Sequence, residues 1–142
     1  MLKRFKTAMQ RLVQEGNPSV IIQMMTRHSS NKDSQQYGCG ALCILAASHA
    51  ENQTRIASAG GIEAVVKAMQ THPQCVVVAL RALRILAASH AENQTRIASA
   101  GGIEAVVKAM QTHPQSVEVQ GAGCGALKLR MLELTMKLRI QR

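Results

Sequence analysis

The sequence has very few aromatic residues: its 142 residues include no tryptophan, one tyrosine and one phenylalanine. Base-stacking surfaces and deep ligand pockets usually draw on aromatic rings, so neither is expected here. The hydrophobic fraction is nevertheless 46%. The core must therefore be aliphatic, as suits closely spaced helices.

The sequence also lacks any apolar run of the roughly 18 residues that a membrane span needs. It has no secretory signal, and its four cysteines are expected to be reduced thiols in a cytoplasmic or nuclear protein. Residues 1–16 predict an amphipathic helix, which we interpret as the first helix of the fold. A mitochondrial presequence is the alternative, although this segment contains no serine.

Patterns typical of catalysis or metal binding are absent. Cys39 and Cys43 lie four residues apart on a predicted helix, but no nearby histidine or cysteine completes a tetrahedral set. We interpret them as buried structural thiols. Ser48 and Glu51 have the spacing of a helix capping box rather than of an activated nucleophile. We therefore predict a protein that is not an enzyme and that has no metal or cofactor.

The net charge of +9 is concentrated near the two termini. Residues 1–16 carry +3 and residues 128–142 carry +4, which leaves +2 for the residues between them. The C-terminal segment consists of good helix formers and is predicted to be helical. Binding of nucleic acid or another anionic surface by these basic segments is therefore an alternative function.

The main feature of the sequence is an internal duplication. The stretch ILAASHAENQTRIASAGGIEAVVKAMQTHPQ occurs twice without a difference, at residues 44–74 and 85–115. Such a period indicates a stacked array of helical units. The polar residues ENQT at 51–54, which we expect to be exposed, recur unchanged at 92–95. We attribute this identity to recent duplication rather than to packing.

Each copy is predicted to form three helices. A short helix should begin after Ser48 and end at Gly60-Gly61, because glycine accepts the left-handed conformation that closes a helix. A second helix follows and ends near Pro73, where His72 is expected to interact with its last carbonyls. The third helix, residues 38–48 in one copy, is nearly all small or apolar and should be buried.

Weaker copies extend the array on both sides, so we predict a single domain over residues 1–142. Its parts are a degenerate N-terminal partial repeat at 1–32, repeats at 33–74 and 75–115, and a partial C-terminal repeat or cap at 116–142. Three residues are missing just before Ala79 relative to the other copies. The third helix of that repeat should therefore be shortened.

A unit of about 42 residues with three helices, an AGGI turn and GCGAL at 38–42 and 123–127 resembles the armadillo repeat. The resemblance covers roughly residues 16–128, and the related HEAT repeat, which lacks the short first helix, is the runner-up. It implies an all-α, right-handed α-solenoid of about two full three-helix repeats plus partial repeats at both ends. The third helices of such a solenoid line a concave groove that binds a peptide or partner protein.

The candidate binding residues that the resemblance implies lie on or just after the third helices. They are Gly40, Ile44, Arg81, Arg84, Ile85, His49 and His90. The tryptophan and asparagine with which importin-α-like members grip basic peptides are absent at the matching positions, and Arg81 would repel such a peptide. Binding of an acidic peptide, as by β-catenin-like members, is less strongly excluded.

We therefore predict a non-catalytic scaffold for protein–protein interaction. About two full repeats lie near the lower limit for a stable stack, so two alternatives remain. In the first alternative the chain is a fragment of a longer array, and in the second it self-associates through uncapped ends. Gly40 and Cys43 of the first copy correspond to Arg81 and Arg84 of the second. We expect these two differences to determine the specificity for a binding partner.

Overall fold

The computed structural model describes residues 2–88 and 90–127. Over these residues the chain forms helices and no strand, so the predicted all-α class is confirmed. No helix in the described ranges is long and apolar enough to cross a membrane. The predicted helix and basic charge of segment 128–142 lie outside the described residues.

The helices follow one another with short connections. Their bounds are α1 Leu2–Glu15, α2 Pro18–Arg27, α3 Lys32–Ser48, α4 Ala50–Ser58, α5 Gly61–Thr71, α6 Val76–Ala87, α7 Ala91–Ser99 and α8 Gly102–Thr112. A 3-10 turn, Pro73–Cys75, leads into α6. The chain is helical again over residues 117–127, which we call α9.

Helices at matching positions of successive repeats lie against each other, and we call each three-helix repeat a unit. Helix α2 contacts α5 and α5 contacts α8, while α3 contacts α6 and α4 contacts α7. Helix α1 packs on α2 and α3, where it buries Met9. One continuous apolar cluster runs from Met9 to Ala122 on α9. The aliphatic core therefore extends through the units rather than closing within each one.

The predicted glycine turn joins α4 to α5. Gly60 has a φ of +86°, in the left-handed region, and its counterpart Gly101 has a φ of +78°. Gly61 is needed for a different reason: a Cβ there would overlap Cγ2 of Ile56 and lie 2.8 Å from the carbonyl oxygen of Ile56. The first glycine therefore sets the backbone direction, and the second allows the two helices to approach closely.

The predicted start of the short helix is wrong by one residue. Ser48 is the last residue of α3, and α4 begins at Ala50 with His49 at the N-cap and no side-chain cap hydrogen bond. Glu51 is therefore the second residue of the helix rather than the third. The reciprocal bonds of a capping box need the third position, so that interpretation of Ser48 and Glu51 fails.

Two of the repeated polar residues that we expected to be exposed cap the preceding helix instead. Asn52 Nδ2 donates to the carbonyl oxygen of Leu45 at 3.0 Å, and Gln53 Nε2 donates to that of Ala46 at 3.0 Å. The second copy repeats both bonds, from Asn93 to Leu86 and from Gln94 to Ala87. Because the last carbonyls of a helix lack intrahelical partners, packing does constrain these positions.

Helix α6 begins late and has 12 residues, against 17 in α3. In the first turn of α3, Gln35 Nε2 donates to two carbonyl oxygens at the end of α2, at 2.8 and 2.9 Å. Gln120 makes the same pair of bonds at the end of α8. Val76 occupies the matching position in α6 and cannot make these bonds. The carbonyl of His72 accepts from the backbone N–H of Cys75, as those of His28 and His113 accept from Asn31 and Ser116. The backbone turn is therefore kept in all three places, and only the side-chain cap is lost where three residues are missing.

Two side chains reach from one unit to the preceding one. His72 Nε2 lies 2.8 Å from the carbonyl oxygen of Ser29, which follows α2, so its ring does not cap its own helix as predicted. Arg96 Nη1 donates to the carbonyl oxygen of Ala57 at 2.6 Å. Both bonds fix the position of a unit relative to its predecessor.

Candidate protein-binding surface on the third helices

The third helices, α3, α6 and α9, bring most of the predicted binding residues together. Gly40 and Ile44 lie on α3 and Arg81, Arg84 and Ile85 lie on α6, which packs directly against α3. Ile44 is 56% exposed, both arginines are exposed, and Ile85 is half-buried. We call these five residues together with Cys43 and Gly125 the third-helix surface.

Gly40 lies half-buried at the contact between α3 and α6. A Cβ at this position would be 3.9 Å from Cγ2 of Val78, which is an ordinary van der Waals contact. Packing therefore does not require a glycine here. Glycine at this position leaves the third-helix surface without a side chain one turn before Ile44.

Cys43 lies close to both arginines. Its thiol is half-buried, and this burial raises the pKa of Cys43, while the positive charges of Arg81 and Arg84 oppose the rise. An arginine would be larger and of like charge at this position of α3. The cysteine at this position of α3, where the second copy has Arg84, therefore adds no further positive charge near Arg81.

Arg84 extends in the other direction, toward α9. A Cβ on Gly125 would lie 2.7 Å from Cδ of Arg84 and 3.6 Å from its Nη1. The missing side chain at Gly125 thus provides the space that the arginine occupies. Gly125 holds the place of Gly40 in the second GCGAL motif, but sequence reasoning did not assign it to the site. The sequence does contain a signal for it, because the position of Gly125 is occupied by Arg81 in the second repeat.

The third-helix surface is cationic at its centre. Within residues 2–88 and 90–127 no carboxylate lies within ion-pair distance of Arg81 or Arg84, and α6 contains no acidic residue. Residues three apart on a helix share a face. Guanidinium groups can bind carboxylates and phosphates with paired hydrogen bonds, and Ile44 and Ile85 lie on the same two helices as apolar neighbours.

His49 and His90 do not lie on the third helices. They occupy the N-cap positions of α4 and α7, where His49 is exposed and His90 is half-buried. His49 follows Ile44 by five residues, which corresponds to about 7.5 Å along a helix axis. The histidines are therefore at the edge of the surface rather than beside the arginines.

One cleft among the described residues contains none of the predicted binding residues. A cleft of about 410 Å³ lies between α5 and α8 and is lined in part by Met69, Pro73, Ala105 and Ala109. Among the described residues, no cluster of three or more His, Cys, Asp or Glu side chains could hold a metal ion. The third-helix surface combines the exposed charges of Arg81 and Arg84 with the exposed apolar side chain of Ile44.

No protein-family model and no curated protein matches the sequence. A solved crystal structure, described as an engineered protein and a Northeast Structural Genomics Consortium target, is similar, with a TM-score of 0.70 and 27% sequence identity. The similarity covers 87% of this chain and 49% of that chain, so the chain spans about half the length of the engineered protein. The description of that protein states no ligand or activity.

Proposed function

We propose that the protein is a non-catalytic, armadillo-like scaffold that binds an extended peptide or partner protein along its third-helix surface. The observation that carries this proposal is the exposed arginine pair, Arg81 and Arg84, with no carboxylate partner among the described residues. The pair stands where two otherwise near-identical units differ. An acidic peptide with apolar residues is the ligand that fits this surface.

The contacts between the helices support an α-solenoid, for which the armadillo resemblance implies a right-handed twist. Equivalent helices of successive units are in contact, and the core is continuous from unit to unit. In a stack of this kind the third helices form one side of the array. The four cysteines are free, which agrees with a protein of the reducing cytoplasm or nucleus.

The expected strength of binding follows from the exposure of the arginines. An exposed ion pair contributes about 0.2–1 kcal/mol, so two arginines alone give at most about 2 kcal/mol. Stable binding therefore also needs apolar contacts with Ile44 and Ile85, at about 25 cal/mol per Å² of buried apolar area. The partner should combine carboxylates or phosphates with aliphatic or aromatic side chains.

A charge-reversal experiment tests the proposal. Partners are captured with the intact chain, and binding of acidic-apolar peptides is measured by fluorescence anisotropy. Arg81→Glu with Arg84→Glu should abolish binding. The matched control, Lys67→Glu with Lys108→Glu, makes the same change in net charge on exposed positions of α5 and α8 and should preserve binding. Equal binding by both double variants would refute the proposal.

One observation favours a second candidate function, binding to nucleic acid or an anionic surface. Lys3, Arg4 and Arg11 on α1 are exposed and line one shallow hollow. Binding there should weaken steeply between 50 and 200 mM salt, because neutralised phosphates release counterions (roughly one per contact). Lys3→Glu with Arg4→Glu should remove affinity for a DNA duplex, whereas the Arg81 and Arg84 reversal should leave it unchanged.

A further inference from the structure

The duplicated sequence places identical residues in different surroundings, as Val66 at 2% exposure and Val107 at 38% exposure show. The histidines of the two HPQ sequences are a second such pair. His72 Nε2 lies 2.8 Å from the carbonyl oxygen of Ser29, whereas the ring of His113 has no hydrogen bond within the described ranges. The contact between α5 and α8 therefore lacks a bond that the contact between α2 and α5 has.

The shortened start of α6 accounts for this difference. In the second contact Pro73 takes the place of Ser29, and its carbonyl oxygen accepts from the backbone N–H of Val76 in the 3-10 turn. The acceptor that the first contact offers to a histidine ring is therefore already bonded in the second. There His113 lines the cleft of about 410 Å³ between α5 and α8.

A second polar group beside the cleft also loses its partner. The carbonyl oxygen of Met25, near the end of α2, accepts from Gln35 Nε2 at 2.8 Å. The matching carbonyl of Met69 receives neither this bond nor a helical one, because Val76 replaces the glutamine and Pro73, four residues on, has no N–H. Met69 is 5% exposed, and a buried acceptor that lacks a donor favours a ligand that supplies one.

The lining of the cleft is mainly apolar, and its charged residues have no net charge. The buried residues that line it are Met69, Val76, Ala105 and Ala109. Glu104 and Lys108 also line it, are exposed, and lie four residues apart on one face of α8. Because these two charges are opposite and adjacent, the cleft favours a neutral ligand over an ion. Its volume is within the range of small-molecule sites, about 300–1,000 Å³.

We infer that this cleft binds a neutral small molecule that carries an amide group on an apolar body. The amide N–H donates to the carbonyl oxygen of Met69, as a glutamine amide does at the matching place between α2 and α3. The amide oxygen accepts from the ring N–H of His113, as the carbonyl oxygen of Ser29 accepts from His72. The apolar body packs on the alanines of α8. The site is separate from the arginine pair and does not depend on peptide binding.

Benzamide is a minimal probe of this site. Titration into the isotope-labelled intact chain should shift the backbone amide signals of Val76 and His113 in NMR spectra in a saturable way. Methyl benzoate has the same ring and a carbonyl but no N–H, and benzoate carries a charge. Both should bind roughly two- to tenfold more weakly than benzamide, the factor that corresponds to the loss of one hydrogen bond.

Substitutions of the two histidines separate binding from stability. His113→Ala removes the ring donor in the cleft and should raise the Kd of benzamide roughly two- to tenfold. The matched control, His72→Ala, makes the same change in the other HPQ sequence and should leave this Kd unchanged while it lowers the urea midpoint. Val76→Gln supplies an amide from the chain itself, and it should abolish benzamide binding and raise the midpoint.

Three results would overturn the inference. One is the absence of saturable shifts at Val76 and His113 with benzamide. Another is equal affinity for benzamide and methyl benzoate, because the donor to Met69 would then contribute nothing. The last is an equal change in the Kd of benzamide for His113→Ala and His72→Ala, because the effect would then come from the stacking of the units and not from the cleft.

Discussion

Asn52 and Asn93 offer a test of how surroundings change the value of one hydrogen bond. Both lie in the identical sequence AENQTRIAS and both donate to a carbonyl near the end of a third helix, Asn52 at 3.0 Å and Asn93 at 2.8 Å. Asn93 is 4% exposed on α7, which packs against α4 and α5 of the first unit, whereas Asn52 is half-buried. Replacing each by alanine removes the same atoms from the same local sequence.

The expected costs differ because water can replace only one of the lost donors. At the half-buried site, Asn52→Ala should cost about 0.5–1.5 kcal/mol, the usual net value of a hydrogen bond. At the buried site, Asn93→Ala leaves the carbonyl of Leu86 without a partner, which should cost about 1–3 kcal/mol. The difference in helix propensity between asparagine and alanine is the same in both variants and cancels.

Urea unfolding followed by circular dichroism measures the comparison. With a slope of about 1–3 kcal/mol per M, a difference of about 1 kcal/mol separates the two midpoints by roughly 0.3–1 M. Asn93→Ala should have the lower midpoint. Equal midpoints, or a lower midpoint for Asn52→Ala, would refute the argument that burial by the neighbouring unit sets the value of this cap.

The glycine turn and the cysteines give further predictions. Gly60→Ala should cost about 1–2 kcal/mol of unfolding free energy because of its positive φ, and Gly61→Ala should cost more, because its Cβ overlaps Ile56; a smaller loss for Gly61→Ala in urea titrations would contradict this. Iodoacetamide should label exposed Cys124 in the folded protein, followed by mass spectrometry. Cys75, whose pKa burial raises to about 11, should react only after unfolding, and equal labelling rates would contradict this.

Sequence reasoning predicted the helical class and the glycine turn at Gly60. It succeeded there because backbone conformation at a glycine and apolar spacing along a helix are local properties. It misplaced the helix start at Ser48 by one residue, and it treated Asn52 as exposed. Both errors concern where one helix ends against the next, and local patterns specify that poorly.

Comparison of the two identical copies shows what the sequence determines and what only the tertiary structure decides. By itself the sequence determined that residues 44–74 and 85–115 form nearly the same helices, since identical chains have identical local preferences. It could not distinguish Val66 from Val107 or Asn52 from Asn93, because those residues are the same in every local respect. Only the tertiary structure decided which of each pair is buried, since burial depends on the neighbouring unit that lies against it.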